Sequence, residues 1–374
     1  MTKSVVISGT GLWTPEHSIS NEELVAAYNA YATQFNASHQ AAIAAGELAE
    51  KPLSSAEFIE KASGIRSRYA YIKDGILDVN RMRPRIPVRG DDELSDQAEM
   101  AVHAAKKALA AAKKQASDID AVIVSCAYTQ RSYPALAIEV QQALGIVGFG
   151  FDMLVACSAA TFALHRAYEM IASGTAKGVL VINPELTSPQ ANYCDRDSHF
   201  IFGDVATAIV VEAAETAQSD NVFEILSTKA VTAYSNNIRS NFGYVSRATD
   251  SDPFADDMLF HQEGRKVFKE VCPMAAEHIN EHLARHSLSP ADIKRWWLHQ
   301  ANINMNTLIS RKLLGREPDA TEAPIVLDTY ANTASAGSII AFNLHQHDLV
   351  AGELGLLCSF GAGYSIGSLV LRKV

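Results

Sequence analysis

Short runs rich in Val and Ile alternate along this chain with longer helical runs, and the alternation occurs twice in the same order. Residues 5–8, 121–125, 179–183 and 207–212 are short, apolar and β-branched, as strands covered on both faces are. Between them, residues 96–112, 135–144 and 158–173 carry helical spacing. Strands and helices alternating in this way predict an α/β fold.

The second half repeats the first. Ser117-Asp118-Ile119-Asp120 precedes the strand at 121–125, and Ala291-Asp292-Ile293-Lys294 precedes an apolar run ending at His299. Aligning Asp118 with Asp292 sets Ser125 opposite His299. A second pair agrees: Gly174 lies 17 residues after Cys157, Gly352 lies 17 after Ser335, and a strand follows each glycine. Two matched helix–strand units imply an internal duplication. The polar stretch 213–220 divides it, giving halves 1–216 and 217–374. Two stretches stand outside this scheme. Residues 31–53 are Ala-rich and predicted helical, whereas 73–93, with Arg81, Arg83, Arg85 and Arg89, read as a long exposed loop.

Bulk properties narrow the function classes. A net charge of -10 argues against general nucleic-acid binding, which needs a basic face. No apolar run reaches the roughly 18 residues of a membrane span. The N-terminus enters a strand at once, with no leader pattern, so the expected location is the cytoplasm. Five cysteines without metal-like spacing are expected to be reduced thiols.

Three residues are candidates for chemistry. Cys157, in Val155-Ala156-Cys157-Ser158-Ala159-Ala160-Thr161, stands where strand character gives way to a small-residue helix. A thiol at a helix N-terminus is expected to have a lowered pKa. His299 follows an apolar run in Leu298-His299-Gln300-Ala301-Asn302, and Asn332 stands in Ala331-Asn332-Thr333-Ala334-Ser335-Ala336-Gly337. Each alone has a bland reading: a buried cysteine, a satisfied histidine, a helix N-cap. Gly9-Thr10-Gly11 after a strand is no dinucleotide fingerprint, because Thr14 replaces the third glycine and Pro15 follows. Asp195, Asp197 and His199 lack a second ligand cluster and read as a structural loop, with no metal.

Taken in order, the Ala-Cys-Ser-Ala-Ala turn, His-Gln-Ala-Asn and Asn-Thr-Ala-Ser-Ala resemble type III β-ketoacyl-acyl-carrier-protein synthases of the thiolase superfamily. So do Gly203-Asp204, Gly264-Arg265-Lys266-Val267-Phe268 and the final Phe360-Gly361-Ala362-Gly363-Tyr364-Ser365-Ile366-Gly367-Ser368. The resemblance implies a five-layer αβαβα fold and a homodimer. It implies condensation of an acyl-CoA primer with malonyl-acyl-carrier protein, with loss of CO2 and no cofactor. Cys157 is then the nucleophile, and His299 and Asn332 hold the enolate oxygen. The backbone N–H groups of Cys157, Ala362 and Gly363 form the oxyanion hole, with Gly361 lining the substrate site. Tyr133 of Ser132-Tyr133-Pro134 is expected to enter the neighbouring subunit's acyl tunnel. Arg265, Lys266, Arg311, Lys312 and Arg316 are candidate contacts for the acidic carrier protein. The chain departs from the family where coenzyme A is held: Phe58 stands for a Trp and Ala62 for an Arg. Phe58 is expected to stack on adenine, and the loop arginines to supply the missing charge. Long family members with medium-chain primers are the nearest in form. Ester or amide formation from acyl-Cys157 is the alternative.

Overall fold

A computed structural model describes residues 3–252 and 255–374. The chain opens with β1 (Val5–Trp13), β2 (His17–Ser20), α1 (Asn21–Ser38), α2 (Gln40–Ala44), α3 (Ala56–Ser63) and β3 (Ser67–Ala70). It continues through α4 (Asp96–Ala112), β4 (Ala121–Cys126), α5 (Leu136–Leu144), β5 (Phe149–Leu154), α6 (Ala159–Ala172), β6 (Gly178–Glu185) and β7 (Val205–Ala213). The second half holds β8 (Phe223–Ser235), β9 (Ile238–Arg239), β10 (His261–Gln262), α7 (Gly264–Ala284), β11 (Ile293–Leu298) and α8 (Ile303–Leu314). It ends with α9 (Leu327–Tyr330), α10 (Gly337–Leu344), β12 (Leu354–Gly361) and β13 (Gly363–Lys373).

Nine strands join in the order β11-β12-β13-β8-β1-β7-β6-β4-β5. This order contains its own repeat. β4 and β6 pair parallel, then β6–β7 and β7–β1 antiparallel. β11 and β12 pair parallel, then β12–β13 and β13–β8 antiparallel. The two series meet at a short antiparallel contact, Val6 opposite Glu224 and Ile7 opposite Phe223. The first half alone carries a further edge strand, β5, parallel to β4.

Three apolar clusters show the layering. α4 and α5 pack on one face of the first-half strands, burying Ala101, Ala105, Leu136 and Val140. α7 and α8 cover the second half with Val271, Ile279 and Ile309. Between the half-sheets, α6 and α10 bury Leu164, Ile171, Ile339 and Phe342 against strands of both. The result is five layers, αβαβα, with the central helices apolar on several sides because sheet covers them above and below.

The glycines of the rejected dinucleotide motif have a packing role. A Cβ on Gly9 would lie 2.4 Å from the Ala108 carbonyl oxygen, and one on Gly11 would lie 2.1 Å from that of Ala104. Only hydrogen there lets α4 rest directly on β1.

Both extra segments differ from expectation. Residues 31–44 extend α1 and form α2, but 45–55 run as coil back along the helix. Tyr28 Oη donates to the Pro52 carbonyl, and Asn29 and Asn36 pair with the backbones of Ser54 and Lys51. Segment 73–93 is coil, yet it is no free loop. Ile76 and Met82 are buried in a cluster with Ile19, Ile59 and Phe200. Arg89 is held by Asp96 at 2.7 Å and Glu99 at 2.5 Å.

Candidate active site

Cys157 is set by a strained turn. After β5, Ala156 takes φ 45°, and Ala156–Ser158 form a single 3-10 turn that leads into α6. A positive φ on a residue with a Cβ costs of order 1 kcal/mol or more and persists only where packing enforces it. The same device recurs at the matching place in the second half. Ala334 has φ 47°, Ala334–Ala336 form a 3-10 turn, and α10 follows. The two turns pack on each other, so Ser335 is the structural counterpart of Cys157.

Part of Cys157 remains open. Its thiol nonetheless sits within packed protein, and burial pushes its pKa up to about 12, with the negative charge of Glu185 acting in the same direction. This corrects the expectation of a lowered pKa. The dipole of α6 favours thiolate, but desolvation opposes it and no cation among the described residues stands close enough to help.

The C-terminal glycine turn lies against Cys157. A Cβ on Gly361 would come within 2.6 Å of the Cys157 Cβ and 3.2 Å of its backbone nitrogen. Ser158 Oγ donates to the Ser365 carbonyl at 2.9 Å, fastening the turn to the base of α6. Gly363 has φ 132°, open only to glycine without strain. Ala362 and Gly363 thus stand on the turn that touches Cys157.

His299 follows β11, its N–H bonded to the Cys358 carbonyl at 2.8 Å. Its ring meets Phe360 edge-to-face, with centroids 5.1 Å apart. Phe360 and Gly361 are consecutive, so His299 and Cys157 pack on neighbouring residues of one strand. Burial lowers the His299 pKa to about 3, so the ring is neutral at pH 7. Nδ1 is buried without a partner among the described residues. Assigning the proton to Nε2 leaves the enclosed Nδ1 as an acceptor and puts the N–H on the more open nitrogen.

Asn332 is threaded between two backbone bonds: its N–H donates to Ile201 O at 2.9 Å, and its carbonyl accepts from Gly203 N–H at 3.2 Å. Gly203 has to be glycine, because a Cβ there would lie 2.3 Å from the Tyr330 carbonyl oxygen. The Asn332 side-chain oxygen accepts from Ala334 N–H at 2.9 Å. That bond orients the amide and leaves its N–H groups unengaged among the described residues.

The rest of His-Gln-Ala-Asn braces this arrangement. Gln300 Oε1 accepts from Val326 N–H at 3.0 Å and Leu327 N–H at 3.3 Å, tying the His299 segment to α9, which leads to Asn332. Asn302 caps α8 and donates to the Ala62 carbonyl at 2.8 Å. Cys358 cannot serve as a second active thiol: it is fully buried in the cluster under α7 and α8, while its neighbour Ser359 bonds Ser338 on α10 across the sheet.

The expected substrate contacts are distributed differently. Arg196 lies flat over Phe58, guanidinium carbon 3.6 Å from the ring centroid, and its Nε donates to Leu53 O at 2.8 Å. One face of Phe58 is therefore taken, and stacking on adenine is open only on the other. Arg85 pairs with Asp74 at 3.2 Å, and Arg89 is consumed by Asp96 and Glu99. Arg196 was missed because its setting depends on the strap at 45–55. Tyr133 is 76% exposed on a loop beyond β4. Arg311 pairs with Glu317 and Arg316 with Glu322 at 2.6 Å, leaving Arg265 and Lys312 as the less engaged members of that basic group. Asp195 and His199 form a local turn with His199 stacked on Tyr28.

Glu185 and Ser335 were also missed. An acidic residue closing the apolar strand 179–183, at the same sheet end as Cys157, was the available signal.

Comparison with known proteins shows the family. Residues 151–230 match the family model for 3-oxoacyl-[acyl-carrier-protein] synthase III, and 283–373 match the C-terminal model of the same family. The chain is 57% identical over 346 residues to β-ketodecanoyl-[acyl-carrier-protein] synthase of Pseudomonas aeruginosa, covering 92% of this chain and 99% of that one. It is 30% identical over 376 residues to β-ketoacyl-[acyl-carrier-protein] synthase III of Granulibacter bethesdensis, covering 99% of each. Among solved structures, 3-oxoacyl-[acyl-carrier-protein] synthase III of Aquifex aeolicus superposes over the full length of both chains with a TM-score of 0.75 at 24% identity, a likeness of fold. Relatives of this kind do not favour the ester- or amide-forming alternative. The chain belongs to the 3-oxoacyl-[acyl-carrier-protein] synthase III family and is an acyl-transferring condensing enzyme of fatty-acid biosynthesis.

Proposed function

We propose that this enzyme joins a medium-chain acyl-CoA, octanoyl for preference, to malonyl-acyl-carrier protein, releasing CoA and CO2 and leaving β-ketodecanoyl-acyl-carrier protein. The chain length follows from the Pseudomonas relative: a decanoyl product made by adding two carbons requires an octanoyl primer. The observation that carries the reaction type is the pair of unengaged donors. His299 and Asn332 hold N–H groups without partners among the described residues, and no second thiol is placed for acid–base work.

Cys157 attacks the acyl carbonyl as thiolate, and CoA leaves as its thiol. The tetrahedral oxyanion is received by backbone N–H groups of Cys157, Ala362 and Gly363. The malonyl thioester then loses CO2, and the enolate oxygen accepts from His299 Nε2–H and Asn332 Nδ2–H. The enolate carbon attacks acyl-Cys157 and expels the thiolate. The reaction runs on thioester substrates and needs neither metal nor redox cofactor. Among the described residues no helix is long and apolar enough to cross a membrane. We place the reaction in the cytoplasm, where CoA and carrier-protein thioesters meet, with no part for nucleic acid or membrane.

A homodimer completes the reading. β5 is the free edge of the first half-sheet, with Phe149 and Leu154 half-exposed at its ends and Val147 bare beside it. An exposed apolar edge of this kind is normally covered, and a second copy on it brings Tyr133 toward the partner's acyl channel.

Intact-mass measurement against a series of acyl-CoAs, followed by malonyl-acyl-carrier protein, tests this. The expected result is one octanoyl adduct on Cys157 and a β-ketodecanoyl product. Faster charging by acetyl-CoA would reject the chain length, and an adduct without condensation would reject the reaction.

A further inference from the structure

Glu185 ends β6 with its carboxylate buried, 1% exposed, and no cation pairs with it among the described residues. Three donors converge on it instead. Ala127 N–H reaches Oε2 at 3.1 Å, and Ser335 gives Oε1 both its N–H at 3.1 Å and its hydroxyl. A buried carboxylate without a counter-charge is costly, so these donors are its compensation. An ionised carboxylate suits them, because it only accepts. A protonated one would set its own O–H against a donor.

What those donors belong to gives the carboxylate its meaning. Ala127 begins the segment that leads from β4 to Tyr133. Ser335 lies three residues after Asn332, in the turn that matches the Cys157 turn and packs on it. Glu185 therefore ties the Asn332 turn to the β4 loop. The Cys157 thiol, on the α6 side, feels its charge. Its other titratable neighbours are Cys126 and Tyr128 at the end of β4 and Asp204 before β7, with Asp152 behind Cys126. All are neutral or negative, so nothing offsets the charge. Burial raises the Glu185 pKa to about 7, where a change in pH alters its state.

We propose that Glu185 is a positioning residue of the condensing centre: its carboxylate clamps the Asn332 turn to the β4 loop, and its charge sets the pH at which Cys157 becomes reactive. This deepens the reaction above and rests on the roles given there to Cys157 and Asn332.

Two readouts separate charge from clamp: the rate of Cys157 alkylation by iodoacetamide against pH, located by peptide mass, and CO2 release from malonyl-acyl-carrier protein. Glu185→Gln removes the charge and mismatches one donor. It should shift the alkylation curve to lower pH and slow decarboxylation about 10- to 100-fold, the scale expected when a donor is displaced. Ser335→Ala keeps the charge and loosens the clamp. It should leave the alkylation curve in place and slow decarboxylation. A merely structural carboxylate would leave the Glu185→Gln curve unmoved, and that result overturns the charge effect. Normal decarboxylation in Ser335→Ala overturns the clamp, and this variant decides it even where Glu185→Gln does not fold. Iodoacetamide failing to label Cys157 in the unaltered enzyme would overturn the nucleophile assignment itself, and Glu185's role with it.

Discussion

At the residue scale, the centre at neutral pH is a thiol beside a neutral imidazole, not a thiolate–imidazolium pair. Burial raises Cys157 to about 12 and lowers His299 to about 3. Only the thiolate attacks, so in the free enzyme self-acylation should keep climbing from pH 6 to 9, by up to about tenfold per pH unit and less steeply near pH 7, where Glu185 takes on its charge. It should show no acid limb from His299, whose titration lies far below that range. Stopped-flow acylation at limiting acyl-CoA reads this, and a plateau below pH 8 would contradict it. Cys157→Ala should abolish the acyl adduct seen by intact mass. Asn332→Ala should still self-acylate, while condensation drops by roughly 100- to 1000-fold, the usual loss of one oxyanion-type donor. Measuring both half-reactions on the same variant distinguishes the two steps.

At the element scale, the surroundings of Phe58 are shaped by a contact between distant segments. The strap at 45–55 lies against the loop that follows β6: Lys51 Nζ donates to Cys194 O at 3.0 Å, and Leu53 O receives Arg196 Nε. Phe58 on α3 is capped by that same Arg196. Arg196→Ala bares the second face of Phe58. It should change the KM for acyl-CoA more than that for the matching acyl-pantetheine, which lacks the nucleotide. Equal changes would mean that the stack shapes the wall and reads no nucleotide. On α7 and α8, Arg265 and Lys312 are the cations to reverse in a carrier-protein binding assay, because Arg311 and Arg316 already face Glu317 and Glu322.

At the scale of the whole molecule, a buried ion pair anchors the end of the first half where the chain passes into the second. Lys114, after α4, pairs with Glu212 on β7 at 2.8 Å with both side chains buried, and also donates to the Thr216 carbonyl in the connection between halves. Removing one member of a buried pair strands the other and costs about 3–5 kcal/mol. Lys114→Ala should therefore lower the urea midpoint of unfolding well beyond what an exposed Lys107→Ala change does. A change in sedimentation from dimer to monomer on replacing Phe149 and Leu154 with Glu would test the β5 edge as the contact between copies.

Sequence alone determined what is local and periodic. Buried strands declare themselves by β-branched runs, and helices by spacing, so α4 was read at its observed bounds and β4, β6 and β7 within a few residues. β5 and β8 escaped because one is an edge and the other alternates exposure along much of its length, so neither forms a solid apolar run. The duplication was legible because equal spacings survive in the letters. Cys157, His299 and Asn332 stood out as candidates because each sits at the end of a strand or in a turn with a distinct motif. What only the tertiary structure decided depends on neighbours far apart in the chain. Burial reversed the expected shift at Cys157, Arg196 took a face of Phe58, and carboxylates claimed Arg85 and Arg89. Glu185 came to rest beneath two turns that are distant in sequence, that of Cys157, 28 residues before it, and that of Ser335, 150 residues after it. Desolvation and charge pairing are set by which surfaces meet, and that is fixed only when segments distant in the chain fold onto each other.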